Sequence, residues 1–345
     1  VAASTFTNWI PVEYGAQVIQ KVTQHSAVET FGQRVTMTSN SRYVSRDQGV
    51  EAGLIQKGST YAVGGGSQGF GTNDEAEDAV LLTAGKWGTE VDIAEEDIMD
   101  SLADIINSKS NAIGTALAKV YDNVALGVNA APGATNAQTT SVYRGLTTAD
   151  ASVGYTANAN AFAGAAASAG AVSYDNLSAT LAAVEQGDYF NEEDLIVIAH
   201  PYFRQALRGV KDGQQRPIFN ESSNGTAGGG QGKTPDTVFG LPVFWALGAT
   251  VTTVPSSKFA VPNYGGASGS AAKGTAGNRL LIFCNRLYLL SGRRTTNPTN
   301  PGATPEFQIV PPMYSGTDTT ILRGRMRRAA AMGNPFAFSL FEAVN

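Results

Sequence analysis

Apolar and polar positions alternate most regularly between Lys86 and Glu95, where Trp87, Thr89, Val91 and Ile93 interleave with Gly88, Glu90, Asp92 and Ala94. That period of two predicts a strand with one buried face. The period then lengthens. Glu95, Glu96 and Asp97 put carboxylates where they favour the positive end of a helix, and Ile98, Leu102, Ile105, Ile106, Ile113, Leu117, Val120 and Val124 follow at helical spacing, with Gly127 as the stop. One helix is predicted over 98–126, about 43 Å long at the α-helical rise.

Upstream, Arg42 to Gly71 is rich in glycine and polar residues, and Asn73 to Asp78 is an acidic run. Such a stretch cannot build a core, so the excursion that starts at Arg42 is read as a β-hairpin arm returning through the strand at 87–93. A lone two-stranded hairpin is marginal in water, so the arm must lie on something else. In the first 45 residues Ile10, Val12, Val18, Ile19 and Val22 give a short helical pattern, with Pro11 suited to a first turn, and the whole reads as a detached arm.

Downstream, residues 129–172 are rich in Ala, Gly, Thr and Asn and predict loops. Ser173 is placed to cap a helix carrying Leu177, Leu181 and Val184 and stopped by Gly187. The continuous apolar run Leu195 to Ala199 predicts a fully buried strand, and Pro201 opens a short helix through Phe203, Ala206 and Leu207. Strands are expected at 238–247, 280–284, 287–290, 307–310 and 319–326. The class is mixed α+β.

Composition adds a reason to look beyond the monomer. Charged residues are 15% of the chain, against about 25% in a typical globular protein, while 42% are apolar. A surface so poor in charge implies that much of it becomes interface. The net charge of −5 argues against wrapping nucleic acid by neutralisation, so any DNA contact should be loose and non-specific. Cys284 is the single cysteine, which excludes an intrachain disulfide framework. The first residues carry no positive charge and no apolar run, so no secretory leader is expected there. No run reaches the roughly 20 apolar residues of a membrane helix, and no membrane partner is expected.

Four stretches, taken in order, resemble the major capsid proteins of tailed bacteriophages. They are Lys86-Trp87-Gly88-Thr89-Glu90-Val91-Asp92-Ile93-Ala94-Glu95-Glu96-Asp97-Ile98-Met99-Asp100-Ser101; Val197 to Pro201 with Leu207 to Ile218; Val238-Phe239-Gly240-Leu241-Pro242-Val243; and the closing Pro335-Phe336-Ala337-Phe338. The resemblance implies the Hong Kong 97-type fold, with 1–45 as N-terminal arm, 46–94 as E-loop, 95–150 as P-domain with its spine helix, 151–290 as A-domain, 291–330 as P-domain return and 331–345 as a closing strand of the A-domain. It implies a non-enzymatic subunit that assembles with itself into hexamers and pentamers around double-stranded DNA, with scaffolding, portal and decoration proteins as further partners. Such a subunit belongs to the virion and assembles in the host cytoplasm. A scaffolding segment is not visible ahead of the arm, which leaves a processed chain or a separate scaffolding protein. An encapsulin compartment shares the fold, but the long E-loop and the glycine-rich insertions at 221–235 and 263–278 look more phage-like. Intersubunit contact is expected at Lys57, Asp74, Glu75, Glu77, Asp78 and Trp87, and at Arg323, Arg325 and Arg327, which share one face of a predicted strand with Arg328 opposite. Those arginines suit carboxylate pairing within or between subunits, and packaged DNA is the sharper alternative.

Other motifs compete with this reading. Ala227 to Thr234 approximates a phosphate-binding loop ending in Lys233-Thr234, yet Asn220 to Thr226 is polar where a buried strand is needed, and Pro235-Asp236 interrupts the helix that should follow. Gly65-Gly66-Ser67-Gln68-Gly69 has the spacing of a nucleophile elbow but neither flank, and His25 and His200 are its only candidate bases. His200, directly before Pro201, is more naturally the residue that opens a helix. Two histidines and one cysteine do not make a zinc site, and the acidic run lacks the alternating ligands and turn glycine of a calcium loop. No cofactor is expected.

Some relatives weld their shells through an isopeptide bond between an E-loop lysine and a P-domain asparagine, assisted by a glutamate. Lys57, Asn297, Asn300 and Glu306 supply the residue types. A lysine among glycines and polar residues has no reason to lose its proton, and both asparagines precede proline as turn residues do. Boiled particles should therefore run on a denaturing gel as one band near 35.9 kDa. A ladder abolished by Lys57→Ala would overturn this.

Overall fold

The computed structural model describes residues 25–46, 78–100, 104–131, 140–163, 172–221, 236–255, 273–294, 306–311 and 318–343. Its strands in chain order are β1 (Gln33–Met37), β2 (Ser41–Arg46), β3 (Asp78–Thr83), β4 (Gly85–Ala94), β5 (Ala161–Ala163), β6 (Leu195–Ala199), β7 (Phe219–Asn220), β8 (Thr237–Val238), β9 (Leu241–Trp245), β10 (Arg279–Asn285), β11 (Leu289–Arg294), β12 (Glu306–Val310), β13 (Thr319–Met332) and β14 (Phe338–Ala343). The α-helices are α1 (Ala27–Phe31), α2 (Glu95–Asp100), α3 (Ile105–Leu126), α4 (Val142–Thr147), α5 (Tyr174–Glu185) and α6 (Phe203–Gly209). The described residues fall into two units. The smaller comprises His25 with those in 87–118 and 306–326, the larger those in 26–86, 119–294 and 327–343.

The larger unit is organised on a seven-stranded sheet ordered β5-β14-β10-β6-β9-β8-β7. Every residue of β6, β10 and β14 is buried, because these central strands are covered on both faces; that is why their sequences read as apolar runs instead of alternating. On one face Leu195, Val197, Leu281, Phe283 and Phe341 pack with Leu177, Leu181 and Val184 of α5 and Phe203 and Leu207 of α6. α5 begins as predicted, with the Ser173 side chain accepting from the Asn176 amide, and ends just before Gly187. His200 Nδ1 accepts from the Tyr202 amide at 3.1 Å, so this histidine shapes the turn into α6. Burial, with the Arg279 charge adding to it, lowers its pKa to about 3 and keeps it neutral.

A second sheet contributes to both units. In the larger unit β1 runs parallel to β11, and β11 is antiparallel to the second half of β13. In the smaller unit β12 is antiparallel to the first half of β13, which also pairs with β4. There Gly324 lies so close to α3 that a Cβ would fall 2.2 Å from Ile113 Cγ2.

Several expectations are corrected. The helix predicted over 98–126 is two helices, because the Asp104 carboxylate accepts from the Asn107 amide at 2.9 Å and caps a fresh start at Ile105. The strand at 87–93 is real and buries Ile93, but it is not the return of the hairpin, since β4 pairs with β13. The return is β3, which pairs with β2 from Ser41↔Thr83 to Arg46↔Asp78. β3 was overlooked because Leu81 and Leu82 are both apolar and blur the alternation. The strand expected over 238–247 is split into β8 and β9 by a two-residue turn with positive φ at Phe239 and Gly240. Where loops were expected, α4 forms on the Ser141 cap and buries Val142, Tyr143 and Leu146. The strand expected at 287–290 is shifted to Leu289–Arg294, because Asn285 caps a tight turn at 286–288. β13 runs on to Met332, six residues beyond prediction, through arginines and alanines whose pairing with β11 decides the matter over their propensity. The helical pattern at 10–22 lies outside the described residues.

The end of α3 yields a test. A Cβ on Gly127 would lie 2.0 Å from the backbone oxygen of Thr250, whereas one on Gly114, inside α3, meets nothing within 4 Å. Gly127→Ala should destabilise the chain by roughly 1–3 kcal/mol, as overpacking against backbone does. Gly114→Ala should stabilise it by about 1 kcal/mol through helix propensity. Denaturant melts of the two variants should move in opposite directions.

Candidate assembly interface

The last two turns of α3 anchor the described segment that precedes β1. Asp122, fully buried, accepts hydrogen bonds from Ser26 Oγ (2.5 Å), the Ala27 amide (3.1 Å) and the Val28 amide (3.2 Å). Glu29 then pairs with Arg328 and lies 3.8 Å from Arg293, and the Phe31 ring stacks on Phe244 at 3.5 Å. Gly32 is required here, since a Cβ would meet the carbonyl oxygens of Val28 and Leu289 below 3 Å. Burial pushes the Asp122 carboxyl up to about 7, against the three hydrogen bonds, which favour its charge.

From this anchor the chain runs into the β2–β3 ribbon. Its inner positions Val44, Val80 and Leu82 pack on Met37, Leu290, Ala329 and Ala331. Its outer face carries Tyr43 and Leu81, direct cross-strand partners that are 69% and 45% exposed. A paired aromatic and leucine on an open ribbon face is the pattern of a surface that awaits a neighbour. At the end of the ribbon Arg46 pairs with Asp78 on β3 and with Asp150 at 3.0 Å. The hydrogen bond from Arg46 holds the Asp78 carboxyl below the usual carboxylate range.

The smaller unit has open apolar surface of its own. β12 is the terminal strand of its sheet and exposes Phe307 (40%) and Ile309 (50%). On α2, Met99 is 74% exposed among Glu96, Asp97 and Asp100. Arg323 pairs with Glu90 across the sheet at 2.9 Å, and Arg325, half-buried, shares its face. In the larger unit Arg327 donates to Asn40 Oδ1 at 3.0 Å, while Arg328 is buried on the opposite face with Glu29.

The residues expected at interfaces therefore divide. Asp78 and Arg323 hold ion pairs within their own chain, and Trp87 is half-buried on β4. Lys57, Asp74, Glu75 and Glu77 lie outside the described residues, as do the motifs at 65–69 and 227–234 and Asn297 and Asn300; of Glu306 only the backbone, in β12, is described. Cys284 is buried and burial pushes its thiol up to about 12, which removes it as a nucleophile. Among the described residues no cluster of three or more His, Cys, Asp or Glu could hold a metal, and no helix is long and apolar enough to cross a membrane. Sequence reasoning missed Tyr43, Leu81, Met99, Phe307 and Ile309. The alternation of Phe307, Gln308 and Ile309 signals a strand with an apolar face but not that the face is open.

No protein-family profile matches the chain, and no curated protein matches it. Among solved structures it is similar to a chain of Mycobacterium phage Ogopogo at 12% identity and a TM-score of 0.64, covering 99% of each chain. It is also similar to one of Microbacterium phage Oxtober96 at 17% identity and 0.59, covering 97% of this chain and 96% of that one. The capsid of a native GTA particle matches at 14% identity and 0.61, over 98% and 97%. At such identities the likeness is one of fold, and the fold is the Hong Kong 97-type α+β architecture that the order of segments implied.

Asp122 gives a prediction with a definite sign. Its folded pKa lies above its unfolded value of about 4, so its contribution to stability is greatest below that value and is lost as the pH rises to about 7. Asp122→Asn should flatten the fall in denaturation midpoint between pH 4 and pH 7. An unchanged slope in the variant would show that the carboxyl is not the titrating group.

Proposed function

We propose that this chain is the major capsid protein of a tailed bacteriophage, a subunit that assembles with copies of itself into hexamers and pentamers of an icosahedral shell around double-stranded DNA. The observation that carries the reading is coverage. The capsid chain of a GTA particle and this chain align over almost the whole of both, so the likeness is to that chain as a whole and not to one part of it. The open apolar positions on the β2–β3 ribbon, on β12 and on α2 support it, because a subunit that works alone has no use for them.

In this reading residues 1–45 are the arm, 46–94 the E-loop, 95–150 and 291–330 the P-domain, and 151–290 with 331–345 the A-domain. Lys57, Asp74, Glu75 and Glu77 are assigned to contact with a neighbour, as is the exposed Tyr43–Leu81 pair on the β2–β3 ribbon, and Trp87, Arg323, Arg325 and Arg327 are further contact residues. Scaffolding, portal and decoration proteins are the further partners, the shell is completed in the host cytoplasm, and its chemistry is recognition without catalysis. His200 and Cys284 fit this, the first occupied in a turn and the second inert.

Sizing chromatography with light scattering and electron microscopy of the purified protein tests the proposal. Closed particles of many copies are the expected result. A stable monomer under assembly conditions, with no particles on grids, would overturn it.

A further inference from the structure

A two-stranded ribbon has little stability alone, so its attitude depends on what ties it to the rest of the chain. Its apolar footing is the inner row Val44, Val80 and Leu82 on Met37, Leu290, Ala329 and Ala331. Toward the Arg46↔Asp78 end the inner surface and the body face each other across a cleft of about 420 Å³, with Arg46, Asp78 and Val80 on one side and Thr148, Asp150 and Met332 on the other. Arg46 spans this gap. Its guanidinium donates to Asp150 Oδ2 (3.0 Å), to Ser152 Oγ (2.7 Å) and to the Gly333 carbonyl (3.4 Å), while also holding Asp78 of its own ribbon.

The receiving side is prepared. Asp150 Oδ1 accepts from the Ser152 amide at 3.2 Å and from its hydroxyl at 2.5 Å, which fixes the carboxylate before Arg46 arrives. Arg46 meets Asp78, Asp150 and Ser152 together, so ribbon and body share one network of two carboxylates, a hydroxyl and a forked cation. Both carboxylates keep partial access to water, at 25% and 34% exposure, and so can be rehydrated when the cation leaves. A buried pair could not part so cheaply, because each partner would be stranded without water.

We infer that Arg46 is a reversible clamp that sets the attitude of the β2–β3 ribbon against the body of its own subunit, and that releasing it lets the ribbon end swing away across the cleft while both parts stay folded. The clamp is a property of the single chain and does not rest on the proposed shell.

The test uses the full chain carrying Val80→Cys, a half-buried position that lines the cleft, with buried Cys284 as an internal control for unfolding. Arg46→Gln and Asp150→Asn should each raise the rate at which a maleimide labels position 80 by about tenfold, as expected for the loss of a charge-assisted tie in a locally opening element. Cys284 should remain unlabelled. Added salt should speed labelling while Arg46 is present and have no effect after Arg46→Gln, a response that simple packing would not give. An unchanged rate in either variant, a rate insensitive to salt with Arg46 present, or equal labelling of Cys284 would overturn the clamp.

Discussion

Three successive side chains at the end of α3 carry the joinery of the larger unit. Tyr121 hydroxyl bonds the Ala329 carbonyl and Ser291, both at 2.9 Å; Asp122 holds the segment at Ser26–Val28; and Asn123 donates to the carbonyls of Gly248 and Thr250 while accepting from Thr252. Each residue points about 100° around the helix from the last, so one turn addresses three directions. Glycines make the approach feasible. A side chain at Gly248 would collide with the Asn123 amide at 2.6 Å, and one at Gly127 with Thr250. Polar groups so deeply buried are tolerated because each finds a partner, and removing any one strands another.

The sheet hanging from this turn explains where charge is allowed. β13 alternates Arg323, Arg325 and Arg327 with buried Leu322, Gly324, Met326 and Arg328, and the last of these meets Glu29. One strand thus presents a cationic row and, at the next step, a buried ion pair that ties the segment before β1 to it.

How much was legible depended on how many neighbours each element needs. α5 with its Ser173 cap and β6 with its unbroken apolar run were readable because local sequence dictates both. The two-helix break at Asp104 was hidden by a hydrophobic spacing that continues through it, and aspartate can either cap a helix or sit exposed on one. β3 was hidden because Val80 and Leu82 turn inward while Leu81 turns out, and only its partner β2 tells the two faces apart. On the exposed strands, alternation marked the faces of β4 and β12 but gave no information on which are left open, since that depends on the rest of the fold. The order of short motifs was informative where individual motifs were not, because order reflects topology.

The edge of β12 sets a kinetic problem. Among the described residues β12 pairs with β13 alone, and with Phe307 and Ile309 exposed it can accept an extended segment, including another β12. Strand addition that does not close on itself propagates as a fibre, whereas addition through a rotation that closes ends in a ring. Pairing of two chains through β12 is second order in their concentration, whereas the folding of each chain is first order, so dilution slows the first and leaves the second unchanged.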